Sequence, residues 1–294
     1  MAKAEIEEEA LGIILRSDPE DVSKLQELKS LVASRLETTS DPDITGDLRL
    51  LRFLHEYILP EIAAEKFRAF LNWRKENNVD EIRKLVQCEW EDLPGHLEVT
   101  KHLPSVLLLR SSNGSVLADK QKNPVAVEFP GLVKIRDFVN NLPLKTLIQA
   151  HIANLEKRSL YLDDLSRSSG RLVKMTLIKD FDSADVKSIF SNPRKAAEVL
   201  RRVKTLTGIA GSFYPQTVRK TFLLNVPSVF AGIWKALKPF LSQNQLESTV
   251  VSSAGGLVAE FDYEVIQRIQ EIGRGFNEED AISEKENSEV LHHT

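Results

Sequence analysis

Thr221-Phe222-Leu223-Leu224-Asn225-Val226-Pro227 is a short, mostly apolar run closed by proline, and Ser228-Val229-Phe230-Ala231-Gly232-Ile233-Trp234-Lys235-Ala236-Leu237-Lys238-Pro239-Phe240-Leu241 follows it directly. The first segment has the length and apolar density of a buried strand. The second places Val229, Phe230, Ile233, Trp234, Leu237, Phe240 and Leu241 on one wide helical face, with Lys235 and Lys238 on the remainder. A strand that passes straight into a helix is the repeating unit of an α/β sheet.

The same alternation extends on both sides. Apolar runs stand at Val106 to Arg110, Val125 to Phe129, Leu172 to Ile178 and Thr249 to Ser252, and helical patterns run from Leu144 to Leu165 and from Pro193 to about Ser212. Parallel neighbours need helix-length crossovers, so a mostly parallel sheet is expected over residues 93–276. Before residue 93 the period is helical throughout. Lys24 to Leu36, Leu48 to Ile58, Glu61 to Asn77 and Asp80 to Cys88 read as four helices of an all-helical unit over residues 21–92, divided by the turn Thr38 to Asp43 and by Pro60.

The chain has 294 residues, 42% of them apolar and 28% charged, enough for one large domain or two modest ones with a true core. A net charge of -4 excludes a dedicated nucleic-acid binder. That charge is uneven: residues 1–20 carry -4 and residues 277–294 carry -5, which leaves +5 on the body. The acidic segment 1–20 reads as a tail or loose helix and 277–294 as a disordered tail. One cysteine, Cys88, forms no internal disulfide and points to a reducing, cytoplasmic setting. No uncharged run reaches membrane-spanning length, so membrane contact is expected to be peripheral.

The usual chemical signatures are missing. There is no glycine-rich nucleotide cradle and no Gly-x-Ser-x-Gly, and the six histidines lack metal-ligand spacing, so neither a catalytic nor a metal site is expected. Asp180-Phe181-Asp182-Ser183-Ala184-Asp185 offers three carboxylates, but a strand end followed by a helix cap explains them as well. Two features carry more. The apolar face of Val229 to Leu241 suits either ordinary core packing or a membrane interface. Arg194, Lys195, Arg201, Arg202 and Lys204 on one helix suit either a solvated face or attraction to anionic lipid.

Several elements stand in one order and spacing: Asp47-Leu48-Arg49-Leu50-Leu51-Arg52-Phe53-Leu54, Trp73-Arg74-Lys75, Ser166 to Val173, Tyr214-Pro215, Asn225-Val226-Pro227, and Trp234-Lys235 with Lys238-Pro239-Phe240-Leu241. Over about residues 45–255 the chain resembles the CRAL-TRIO lipid-binding family, whose founding members exchange phosphatidylinositol and phosphatidylcholine between membranes. The resemblance implies an N-terminal helical subdomain (21–92) and an α/β domain (93–276) whose curved sheet floors an apolar pocket under a mobile gate helix. The implied pocket wall is Met175, Leu177, Phe222, Leu224 and Val226 from strands, with Phe230, Ile233, Trp234 and Leu237 from the gate. Phe230, Trp234, Lys235, Lys238 and Phe240 are the implied membrane contacts.

Carried over residue by residue, the family's headgroup positions read differently. The phosphoinositide positions fall on Gln216, Gln245 and Ser248, and the basic pair falls near Glu56, Tyr57 and Ile58, so the ionic site is missing. The phosphatidylcholine hydroxyls fall on Met175, Leu177 and Ala126, which offer no equivalent donors. The expectation is a non-enzymatic, monomeric protein, cytoplasmic and peripheral on membranes, with no nucleic-acid partner and no cofactor. It takes one hydrophobic small molecule or phospholipid and transfers or presents it. A less polar lipid, a sterol or an isoprenoid is favoured over phosphatidylinositol. The alternatives are phospholipid transfer through other headgroup contacts, haem with Met175 and His151 as the only nameable ligands, and a lipid-sensing module that acts on a protein partner.

Overall fold

The computed structural model describes residues 19–36, 41–88, 96–184, 192–228 and 230–276. The expectations for residues 1–18 and 277–294, and the boundary at 92/93, lie outside them. The helical unit contains α1 (Pro19–Leu36), α2 (Pro42–Thr45), α3 (Asp47–Tyr57), α4 (Pro60–Glu76) and α5 (Val79–Cys88). Leu25, Leu28, Val32, Leu48, Leu51, Phe53, Phe67 and Phe70 form its core. Phe53 meets Phe67 edge-on at 5.4 Å, a geometry that adds to simple area burial. Proline at the first position of α4 suits a helix start, and Ile58, at φ 63°, turns the chain into it.

After α6 (His96–His102) come β1 (Ser105–Val106), β2 (Val125–Glu128), α7 (Ile135–Asn140), α8 (Leu144–Ser169), β3 (Met175–Asp180), α9 (Pro193–Phe213), β4 (Val218–Leu224), α10 (Phe230–Leu237), α11 (Gln243–Glu247) and β5 (Thr249–Ser252). A last helix, α12, runs over residues 263–276. The sheet has the order β1-β2-β3-β4-β5, with β1 antiparallel and the other neighbours parallel. The expected mostly parallel α/β sheet is therefore present. The run Val106 to Arg110 gives a strand only at its start, and Arg110 forms an isolated bridge to Val116.

This order decides where the helices lie. Parallel strands added one after another in the same direction, each by a right-handed crossover, place every crossover on one face. Leu162 and Leu165 of α8 accordingly pack on Met175, Leu177 and Ala126, and α9 packs beside α8. The opposite face carries Val125, Val127, Ile178, Phe222 and Leu224, and it needs a separate cover. Val265, Ile266 and Ile269 of α12 supply it, together with Leu109, Leu117, Leu257 and Phe261. The 265, 266, 269 and 272 spacing on α12 is a helical stripe that the sequence reading passed over.

Buried charges bolt the helical unit to α8. Glu156 is 0% exposed and accepts from Arg74 at 2.7 Å, Arg83 at 2.9 Å and the Tyr214 hydroxyl at 2.5 Å. Burial pushes the Glu156 carboxyl up, but the two guanidiniums and Tyr214 outweigh it and hold the group ionised. Burial, with Glu156 beside it, raises the Tyr214 hydroxyl well above its ordinary value, so it remains a donor. Asp163 pairs with Arg49 at 3.3 Å and Arg52 at 2.9 Å, and Arg167 reaches Asp43 at 2.5 Å.

Candidate functional site

Alternation along the strands sorts the expected pocket residues. Met175 and Leu177 share the helix-covered face, since Ala126 pairs with Leu177 and Leu177 with Thr221. Phe222 and Leu224 register with Ile178 and Asp180 and point to the other face, beneath Phe261 and α12. They do not share a wall with Met175 and Leu177. The β4 residue on the helix-covered face is Leu223, opposite Lys179 and Val251. Reading Phe222-Leu223-Leu224 as one apolar run hid this period-2 division.

The helix expected over residues 229–241 is shorter than its apolar period suggests. The helix ends at Leu237, and Lys238–Phe240 continues as a 3-10 turn. Phe230 is buried against the Phe181 ring at 5.3 Å and stacks on Trp234 at 6.0 Å. Val226, Trp234 and Leu237 are half-buried, Lys235 and Lys238 are exposed, and Phe240 is 39% exposed with the Lys204 ammonium 3.8 Å from its ring centre. The Val229 placement and the Ile233 side chain lie outside what is described.

Helix α9 has apolar residues Val199, Leu200, Val203, Leu206 and Ile209, but Arg202 is its one buried residue. Val251, on the same sheet face as Leu223, is 57% exposed. Arg202 itself turns inward and donates to the Phe138 and Leu142 carbonyls, both at 2.8 Å, while Arg201 pairs with Glu198 at 2.7 Å. The cationic face anticipated on this helix is thereby reduced to Arg194, Lys195 and Lys204. Asn192 caps α9. Asp180 accepts from the Asp182 amide at 2.9 Å and from Asn225 at 2.8 Å, so it ties two strand ends together. The helix cap expected from Asp182 or Ser183 falls on a stretch outside the described residues.

The positions matched to phosphoinositide headgroup contacts are engaged with one another. Glu56 accepts from Gln216 at 2.9 Å and from Asn244 at 2.8 Å, and Lys174 donates to the Gln216 side-chain oxygen. The Gln216 carbonyl, in a left-handed turn at φ 55°, is held by Arg52 at 2.8 Å. Gln245 is spent on the capping box of α11 with Ser242. Lys174 and Asn244 are additions that strand and turn patterns could not anticipate, because they converge from distant parts of the chain.

A second polar group lies on the helix-covered face. Glu128 and Lys179 are register partners and pair at 2.7 Å, and Arg158 of α8 approaches Glu128 at 3.4 Å. His151, two turns before Arg158, lies 3.0 Å from the Leu206 carbonyl through Nε2. Burial would raise the Glu128 carboxyl, yet Lys179 and Arg158 bring it down to about 2. Burial, reinforced by Arg158, lowers His151 to about 4. Met175 is fully buried among Leu162, Val173 and Val218, and His151 spends Nε2 on a carbonyl, so this pair does not fit haem. Among the described residues no cluster of three metal-ligating side chains exists, and no helix is long and apolar enough to cross a membrane.

A one-directional parallel sheet with all its crossovers on one face, a helical unit ahead of it and a short apolar helix after Asn225-Val226-Pro227 agrees with one family model, the CRAL/TRIO domain, which matches residues 114–267. The chain belongs to the CRAL/TRIO family. It is similar to the phosphatidylinositol/phosphatidylcholine transfer protein SFH11 of Arabidopsis thaliana, with 29% identity over 71% of this chain and 52% of that protein. It thus spans about half the length of the plant relative. It is also similar to the SEC14 cytosolic factor of Kluyveromyces lactis, with 26% identity over 92% of this chain and 81% of that one. The crystal structure of Sfh5 superposes with a TM-score of 0.54 at 22% identity, covering 74% of this chain and 69% of that chain, a likeness of fold.

Proposed function

We propose that the protein binds one lipid between the Met175, Leu177 and Leu223 face of the sheet and helices α8 to α10, and carries or presents it at membranes without catalysing a reaction. The observation that carries this reading is the incomplete cover of that face, because α9 presents a row of half-buried apolar side chains and Val251, beside Leu223, stands largely uncovered. Such surface gains about 0.8 kcal/mol for each methylene it withdraws from water, so a lipid chain is its natural complement. The named relatives are phospholipid transfer proteins and cytosolic factors, which agrees with carriage and with a cytoplasmic, peripheral location. In this reading α10 is the gate, with Phe230, Trp234, Leu237 and Phe240 as its apolar contacts and Lys235 and Lys238 as its membrane-facing charges.

The headgroup reading also favours a ligand other than phosphatidylinositol. Glu56 occupies the ground where cations would meet an inositol phosphate, and its carboxylate would repel one. A lipid with a small head is favoured. Native mass spectrometry of the purified full chain tests the proposal: a stoichiometric lipid mass is expected, and a chain that stays empty after exposure to mixed lipid vesicles overturns it. Efficient transfer of radiolabelled phosphatidylinositol would overturn the headgroup reading alone.

A further inference from the structure

The charged group on the helix-covered face is not explained by packing. Lys179, Glu128 and Arg158 meet from β3, β2 and α8 on the helix-covered face, next to the apolar cluster of Met175, Leu177, Leu162 and Leu165. Glu128 and Lys179 nonetheless keep 29% and 31% of their side-chain surface uncovered, and Arg158 keeps 11%. Glu128 and Lys179 are thus accessible to a ligand beside a largely covered guanidinium. The charges there do not balance, since two cations share one carboxylate. His151, the titratable side chain facing them from α8, is neutral near pH 7 and adds no charge. Arg158 Nε has no hydrogen-bond partner among the described residues.

We infer that Arg158 and Lys179 form a subsite for a single negative charge, a carboxylate or a phosphodiester, on a lipid whose apolar body lies along Leu177 and the inner face of α9. The inference rests on the lipid-binding reading above and specifies the ligand class for that site. The physical argument is charge balance in a low-dielectric space. A buried excess cation is costly, and an anionic head entering with its chain removes that cost, while a neutral head leaves it in place. The single surplus charge suits a monoanion and is too small for an inositol lipid with further phosphates on its ring. Guanidinium groups, moreover, hold carboxylates and phosphates in a two-pronged geometry, and Arg158 has donors to spare.

The test uses the full chain stripped of co-purified lipid and isothermal titration with oleate, oleyl alcohol and phosphatidylglycerol. Oleate or phosphatidylglycerol is expected to bind at least about tenfold more tightly than oleyl alcohol, and the tighter of the two identifies the source of the charge. Lys179→Met and Arg158→Met should each lose about tenfold for the anion and leave the alcohol unchanged. Glu128→Gln should tighten anion binding because it removes the competing carboxylate, whereas disruption of the fold would weaken every ligand together. Equal affinity for oleate and oleyl alcohol, or looser anion binding in Glu128→Gln, overturns the anion subsite and leaves lipid binding standing. Failure of all three ligands to bind overturns the lipid reading and the subsite with it.

Discussion

At the scale of single residues, two carboxylates, Glu156 and Glu128, do opposite kinds of work. Glu156 neutralises Arg74 and Arg83 at the seam between the helical unit and α8, so Glu156→Gln removes their shared, fully buried countercharge, leaves Arg74 with Asp80 and Arg83 with Asp41 and Asp43, and is expected to cost about 1–3 kcal/mol in urea denaturation. Glu128 instead stands beside a surplus of positive charge and is held at about 2. His151 adds a pH signature. Its folded value of about 4 lies below the ordinary 6.5, so between those limits the unfolded chain binds a proton that the folded chain refuses, and stability falls as pH falls through that window. Glu128 contributes stability that is complete above about 4.5 and lost on acidification toward 2, so the two losses succeed one another. Denaturation midpoints recorded from pH 7 to 4 should decline, with the His151 share of order 1–2 kcal/mol, and His151→Gln should flatten the upper part of that decline.

At the scale of elements, the two faces of the sheet are covered by different helices, and period-2 alternation within β3 and β4 separates them. Phe222 is enclosed by Phe261 and α12, so Phe222→Ala should lower stability by about 3–5 kcal/mol without changing ligand preference. Leu177→Trp fills space on the other face and should block lipid binding, read by native mass spectrometry, in a chain that still folds. For the gate, Phe230 is anchored on Phe181 while Trp234 is half-buried, so Trp234→Asp should abolish vesicle-to-vesicle lipid transfer and leave the thermal midpoint nearly unchanged. Unchanged transfer would remove α10 from the mechanism. The existence and rough bounds of these elements were legible because each carries a strong period over enough residues, as Leu144–Ser169 and Pro193–Phe213 show. Helix α12 carries an equally clear stripe in Val265, Ile266, Ile269 and Ile272.

At the scale of the molecule, charge governs approach to a surface. Arg202 is turned inward and Arg201 is tied to Glu198, so the exposed cations on α9, α10 and the turn after it are Arg194, Lys204, Lys235 and Lys238. Each is worth about 1 kcal/mol near an anionic leaflet, and salt shortens the reach of that attraction. Cosedimentation with phosphatidylserine vesicles should therefore weaken by about tenfold or more between roughly 0.05 and 0.5 M salt, and loss of Lys235 and Lys238 together should remove about half of that dependence. Periodicity, proline and turn placement, and the order of Tyr-Pro, Asn-Val-Pro and Lys-Pro-Phe-Leu were enough to determine an α/β sheet behind a helical unit and its family. These signals are local, set by neighbours a few residues apart. Which strand residues face which layer, the polar latch of Glu56, Gln216 and Asn244, and the charged floor of Glu128, Arg158 and Lys179 were decided by tertiary structure alone. Those groups come from segments up to 188 residues apart, and the energetics of burial and charge that define them exist only once the crossovers have brought the segments together.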